Sequence, residues 1–119
     1  MKKLKIALMI CAAMLITATS ALATNVRGQI LYAGAYGTQP AQNITVSFFV
    51  VNQYNQLIPA STSSITDGNG MYYFYNMAPR AYVVQVRYGN QLKSQFSIMV
   101  ANIPQQPGVF FDIAPILIR

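Results

Sequence analysis

The sequence predicts an all-β chain folded as a single sandwich. Three observations carry that prediction. β-branched and aromatic residues alternate with polar ones at a period of two along most of the chain. The apolar runs are separated by turn-forming clusters such as Asp67-Gly68-Asn69-Gly70 and Gly89-Asn90. No stretch after the first 23 residues carries the spacing of an amphipathic helix.

The beginning of the chain has a different character. Lys2, Lys3 and Lys5 precede an apolar run from Ile6 to Ile16, and Ala21-Leu22-Ala23 supplies small residues at a cleavage position. This is the pattern of a secretory signal peptide, with cleavage expected after Ala23. A membrane anchor fits less well, because the apolar run is shorter than the roughly 20 residues a spanning helix needs. A lipoprotein fits less well still: Ile10 is bulky in front of Cys11, where a small residue is expected, and Cys11 lies within the apolar segment.

Removal of residues 1–23 leaves one expected domain, 24–119. Cys11 departs with the leader, so no disulfide can brace it and one hydrophobic core must. Of the whole-chain net charge of +6, half belongs to the three leader lysines. What remains is Arg27, Arg80, Arg87, Lys93 and Arg119 against Asp67 and Asp112, spread singly. That pattern gives no stripe for nucleic acid. Sparse charge, with solubility left to Gln, Asn, Ser and Thr, points to a secreted, periplasmic or cell-surface protein.

In order, the strands are expected at Val26–Tyr32; at Ile44–Val51, with Ile44, Val46, Phe48 and Val50 on one face; at Thr62–Thr66; at Met71–Asn76; at Ala81–Tyr88; at Gln91–Met99; and at Val109–Ala114. Gly34–Pro40 reads as a flexible connection and Asn52–Ala60 as a polar loop. Gly89-Asn90 has the two-residue spacing of a hairpin with a primed turn. Seven short strands in about 100 residues describe a sandwich rather than a βαβ protein. The apolar end, Ile116, Leu117 and Ile118, reads either as an extension of an edge strand or as an assembly tail that pairs with another subunit's sheet.

The run Thr66-Asp67-Gly68-Asn69-Gly70-x-Tyr72-x-Phe74-x-Asn76-Met77-x-Pro79-x-x-Tyr82-x-Val84-x-Val86, with Gly28, Pro40 and Val46 before it, resembles the carboxypeptidase regulatory-like domain family and its relatives, the collagen-adhesin B-type repeats. The resemblance covers nearly all of residues 24–119 and is most specific in the middle third. It implies a seven-stranded Greek-key sandwich of the transthyretin (prealbumin) type. On that basis Tyr72 and Phe74 point inward and Tyr82, Val84 and Val86 meet them across a hairpin. Two positions depart from the family. Arg80 stands where glycine commonly follows the proline, which implies a different turn over Ala78–Ala81. The adhesin repeats often carry an isopeptide bond between a first-strand lysine and a last-strand asparagine beside a buried acid, whereas Arg27 stands in the first strand here and the chain has no glutamate. An isopeptide bond is therefore not expected, and an intact mass short by one ammonia would overturn that expectation.

The composition also bears on chemistry. There is no histidine, no glutamate and, after the leader, no cysteine, so no group titrating near neutrality is on hand for acid–base catalysis. Lys93 and Ser94 are adjacent and alternate to opposite faces. Imidazole and thiolate ligands for zinc are lacking, and Asp67-x-Asn69-Gly70 lacks the later oxygen ligands of a calcium loop. No enzyme, cofactor or metal is expected. The candidate ligand surface is the outward face opposite the core, where Tyr73 and Tyr75 are expected beside Gln85 and Arg87, with Lys93 and Gln95 on the next strand; tyrosine faces flanked by amides can stack on sugars. Tyr32 and Tyr36 form a second aromatic cluster that reads equally as a cover for the sandwich end. Two functional classes follow. The first is a structural or interaction module of the envelope or extracellular space that binds a protein or self-assembles. The alternative is a carbohydrate-binding module acting through its tyrosines.

Overall fold

The computed structural model describes residues 23–103 and 108–119. The leader expected at residues 1–23 lies almost wholly outside them. The described residues contain no helix and form ten strands in two sheets: β1 (Thr24–Gly34), β2 (Gly37–Pro40), β3 (Thr45–Val51), β4 (Leu57–Pro59), β5 (Ser64–Ile65), β6 (Met71–Met77), β7 (Ala81–Tyr88), β8 (Gln91–Met99), β9 (Phe111–Asp112) and β10 (Ile116–Ile118).

Sheet 1 is organised around β1, which is long enough to take partners on both sides at both ends. Its first half pairs with β6 antiparallel and β9 parallel; its second half pairs with β2 antiparallel and β10 parallel. Sheet 2 runs β4-β3-β7-β8, with β5 also on β3. The inward faces meet in one core. Val26, Ile30, Tyr72, Phe74 and Ile118 come from sheet 1 and Val46, Phe48, Tyr82, Val84 and Val86 from sheet 2, all buried. Phe48 stacks on Phe74 across the sandwich at 4.3 Å between ring centroids and tilts against Tyr82 at 5.5 Å. Each valine, isoleucine or phenylalanine among them, withdrawn from water, contributes about 1.5–3 kcal/mol.

Ten strands stand where seven are expected, and the three additions have local causes. Gly34–Pro40 is not a flexible connection: Gly37, at φ 111°, lets the chain reverse over Ala35 and Tyr36 so that β2 pairs back on β1. Within the expected polar loop, the side-chain oxygen of Asn52 accepts the N–H groups of Tyr54 and Gln56, both at 2.9 Å, and this turn returns Leu57–Pro59 to β3. Proline is tolerated there because β4 is an edge. The tail becomes β10.

A larger correction concerns the middle of the chain. β6 and β7 do not form a hairpin; β6 pairs with β1 and β7 with β3 and β8, so the connection crosses from one sheet to the other. Tyr72 and Phe74 thus meet Tyr82 and Val84 through the core rather than along a ladder. The left-handed residue before the crossing is Asn76, at φ 59°, which leaves Arg80 out of the left-handed region. Asn76 sits in a β-bulge opposite Thr24–Val26 and resets the alternation, so Met77 is buried although it shares parity with the outward Tyr73 and Tyr75.

Candidate functional site

The outer face of sheet 1 carries an aromatic cluster. Tyr73 and Tyr75 project from β6 on the side opposite Tyr72 and Phe74, and they are 36% and 60% exposed. Strand pairing sets Arg27 of β1 between Tyr73 of β6 and Asp112 of β9 in one row across three strands. Arg27 Nε donates to Asp112 Oδ1 at 2.5 Å and its Nη2 to Oδ2 at 3.4 Å. Phe110, just before β9, closes the group: its ring lies edge-on to both tyrosines, at 5.9 Å from Tyr73 and 6.0 Å from Tyr75, and the Arg27 guanidinium stands 4.9 Å from its centroid. Such edge-to-face and cation–π contacts favour these ring orientations by about 0.5–1.5 kcal/mol each.

The electrostatics of this face are self-contained. The hydrogen bond that Arg27 donates to Asp112 is the largest effect and raises the Arg27 pKa above the usual arginine value; desolvation opposes it, and the charge of Asp112 adds a smaller upward effect. The pair is exposed and stabilises the fold little. Its effect on the surface is to cancel one charge with the other beside an apolar platform.

The four residues of the sequence-expected surface do not meet. Gln85 and Arg87 project from β7 on the outer face of sheet 2, opposite to Tyr73 and Tyr75, because β6 and β7 belong to different sheets. There Gln85 Nε2 donates to Gln95 Oε1 at 2.9 Å, and Arg87 Nη2 to Gln85 Oε1 at 3.2 Å. Lys93 leaves this face as well. A bulge between Val86 and Arg87 on the β7–β8 ladder turns it so that its Nζ donates to the Arg119 carbonyl at 2.9 Å.

The tail is likewise placed. Ile116, Leu117 and Ile118 pair parallel with Ile30, Leu31 and Tyr32; Ile118 is buried, Ile116 packs against the core and only Leu117 is exposed. Phe110, Arg27 and Asp112 were not anticipated as site residues. One signal was available, since a domain with two acids has few ways to neutralise a central-strand arginine. Among the described residues no group of three or more His, Cys, Asp or Glu is positioned to hold a metal ion. Asp67 is occupied as a turn former: its Oδ1 accepts the N–H groups of Asn69 at 2.9 Å and Met71 at 3.0 Å.

No family model matches this chain, and no curated protein matches it. Solved structures do. The chain resembles part of the full-length major pilin SpaD from Corynebacterium diphtheriae at 14% identity and TM-score 0.56, covering 80% of this chain and 29% of the pilin. It resembles part of a 9R-lipoxygenase from Cyanothece PCC8801 at 17% identity and TM-score 0.51, covering 83% of this chain and 17% of that one. A Pseudomonas aeruginosa protein described as a "putative carbohydrate binding protein" matches at 13% identity and TM-score 0.50, covering 81% of this chain and 87% of that one. The chain thus spans less than a third of the pilin and of the lipoxygenase. At these identities the likeness is one of fold, an all-β sandwich.

Proposed function

We propose that this chain is a non-enzymatic binding module of the cell envelope or extracellular space, of the carboxypeptidase regulatory-like type, and that it holds a carbohydrate against Tyr73, Tyr75 and Phe110. The observation that carries the reading is the aromatic platform itself: exposed tyrosine rings on the outer face of sheet 1, braced edge-on by Phe110, with the neighbouring charges of Arg27 and Asp112 cancelling. A neutral, ring-lined surface suits the apolar face of a neutral sugar, while Arg27 and Asp112 at the rim offer hydrogen bonds to hydroxyls. The leader pattern supports export, and the neighbour of comparable length described as carbohydrate-binding supports the ligand class.

A protein partner is the second reading. It is favoured by the Tyr–Phe–Arg composition of the same patch, the residue types that concentrate binding energy at protein interfaces, and by the sandwich shared with a pilin. Screening the protein against a glycan array separates the two. The expected result is a bound glycan whose affinity drops by about tenfold or more, 1.4 kcal/mol, in Tyr73→Ser/Tyr75→Ser, with Gln85→Ala/Arg87→Ala unaffected. If the tyrosine variant retained every glycan at wild-type affinity, the platform would not be the site. Capture of a protein by the wild type alone, with no glycan bound, would support the second reading.

A further inference from the structure

A sandwich has four lateral edges, and an unpaired edge is a row of backbone N–H and C=O groups ready to template another strand. Three of the four are blunted here. On one side, sheet 2 ends in β4 and β5, three and two residues long, with Pro59 in the first. Beside them, sheet 1 ends in β6, whose free side is met by Ser64 Oγ accepting the Tyr73 N–H at 3.2 Å, and in β2, four residues long and ending in Pro40. On the other side, sheet 1 ends in β9 and β10, two and three residues long, with Pro115 between them.

The fourth edge, β8, has no such protection. It runs nine residues without proline or acid, and among the described residues it pairs only with β7. Its single charge, Lys93, would ordinarily guard it. That side chain is bulged away and engaged by the carbonyl of Arg119, the residue after β10.

We infer that β8 is a pairing edge and that its occupant is β8 of a second copy of this chain, antiparallel about Phe96. A two-fold axis there sets Ser94 opposite Ile98, Gln95 opposite Ser97 and Phe96 opposite itself, each pair on a common face as antiparallel pairing requires. No charge meets a like charge. Phe96, half-buried at the rim of the core and paired with Val84 in its own sheet, covers its counterpart, so the apolar row runs from one core into the next. The contact is isologous and closes as a dimer. It buries neither outer face, and because the axis stands normal to the joined sheet, the two aromatic platforms look the same way. A ligand surface that repeats would then be gripped twice.

The test uses residues 24–119, which carry every described strand, in analytical ultracentrifugation over a micromolar concentration series. The wild type is expected to be a dimer. Gln95→Lys/Ser97→Lys and Gln95→Glu/Ser97→Glu, at exposed positions, are each expected to be monomeric with unchanged circular dichroism, because each opposes like charges twice. An equal mixture of the two is expected to recover the dimer mass. A wild type monomeric throughout, a lysine variant that stays dimeric, or a mixture that stays monomeric would each overturn the inference.

Discussion

Tyr72→Phe should stabilise this protein. Tyr72 is fully buried, and its hydroxyl finds no hydrogen-bond partner among the described residues. The hydroxyl lies directly over Gly28, where a Cβ would come within 2.2 Å of it, so glycine is present there to admit the phenol. An unsatisfied buried hydroxyl costs about 1–3 kcal/mol, so its removal, less the small void left behind, should gain about 1 kcal/mol. In a domain of this size that raises the thermal midpoint by about 4–8 °C. The pH dependence is an independent check. Burial pushes the Tyr72 phenol well above its ordinary range. Its contribution is therefore fully present below the unfolded value near pH 10 and declines as pH rises, because the unfolded chain ionises first, by about 1.4 kcal/mol per pH unit. The phenylalanine variant lacks that loss, so urea denaturation at pH 7 and pH 11 should show its advantage widening with alkalinity. A variant less stable than wild type by 1 kcal/mol or more at pH 7, with an unchanged alkaline slope, would refute the reasoning and mean that the hydroxyl is satisfied.

Two further substitutions test how the tail and the start of β3 are held. Ile118→Ala should cost about 2–5 kcal/mol in chemical denaturation through the cavity it opens; a change below 0.5 kcal/mol would return the tail to solvent and revive its reading as an assembly element. Thr66→Val removes a hydroxyl that donates to the Ala41 carbonyl at 2.6 Å and accepts the Ile44 N–H at 2.9 Å. The stranded N–H should cost about 1–3 kcal/mol in the same assay, and an unchanged midpoint would show that β3 does not depend on this link.

The direction in which side chains point was legible in the sequence because alternation is local. Ile44, Val46, Phe48, Tyr72, Phe74, Tyr82, Val84 and Val86 all turn inward as the period of two requires. Pairing was not legible, because nothing within Met71–Tyr88 states that its two halves join different sheets. The expected surface of Tyr73, Tyr75, Gln85 and Arg87 failed for that reason alone: each residue does point outward, from opposite sides of the molecule. The bulges at Asn76 and Lys93 each insert one residue and reverse parity beyond it, and no residue type at either place demands a bulge. Phe110 escaped notice because Phe110-Phe111 offers two rings of opposite parity, and strand pairing alone decides which faces the tyrosines.

The arrangement of sheet 1 bears on when the domain can form. Among the described strands β1 is synthesised first, yet it is also the central one, and its partners lie progressively later: β2 at once, β6 some 40 residues on, and β9 and β10 last, with Ile30 beside Ile116. Chains dominated by such distant pairings close slowly, since long loops must be ordered before any contact rewards them. Until β9 and β10 arrive, β1 has an open flank and the core lacks Ile118. A chain paired in this order cannot complete sheet 1 until β9 and β10 have been made.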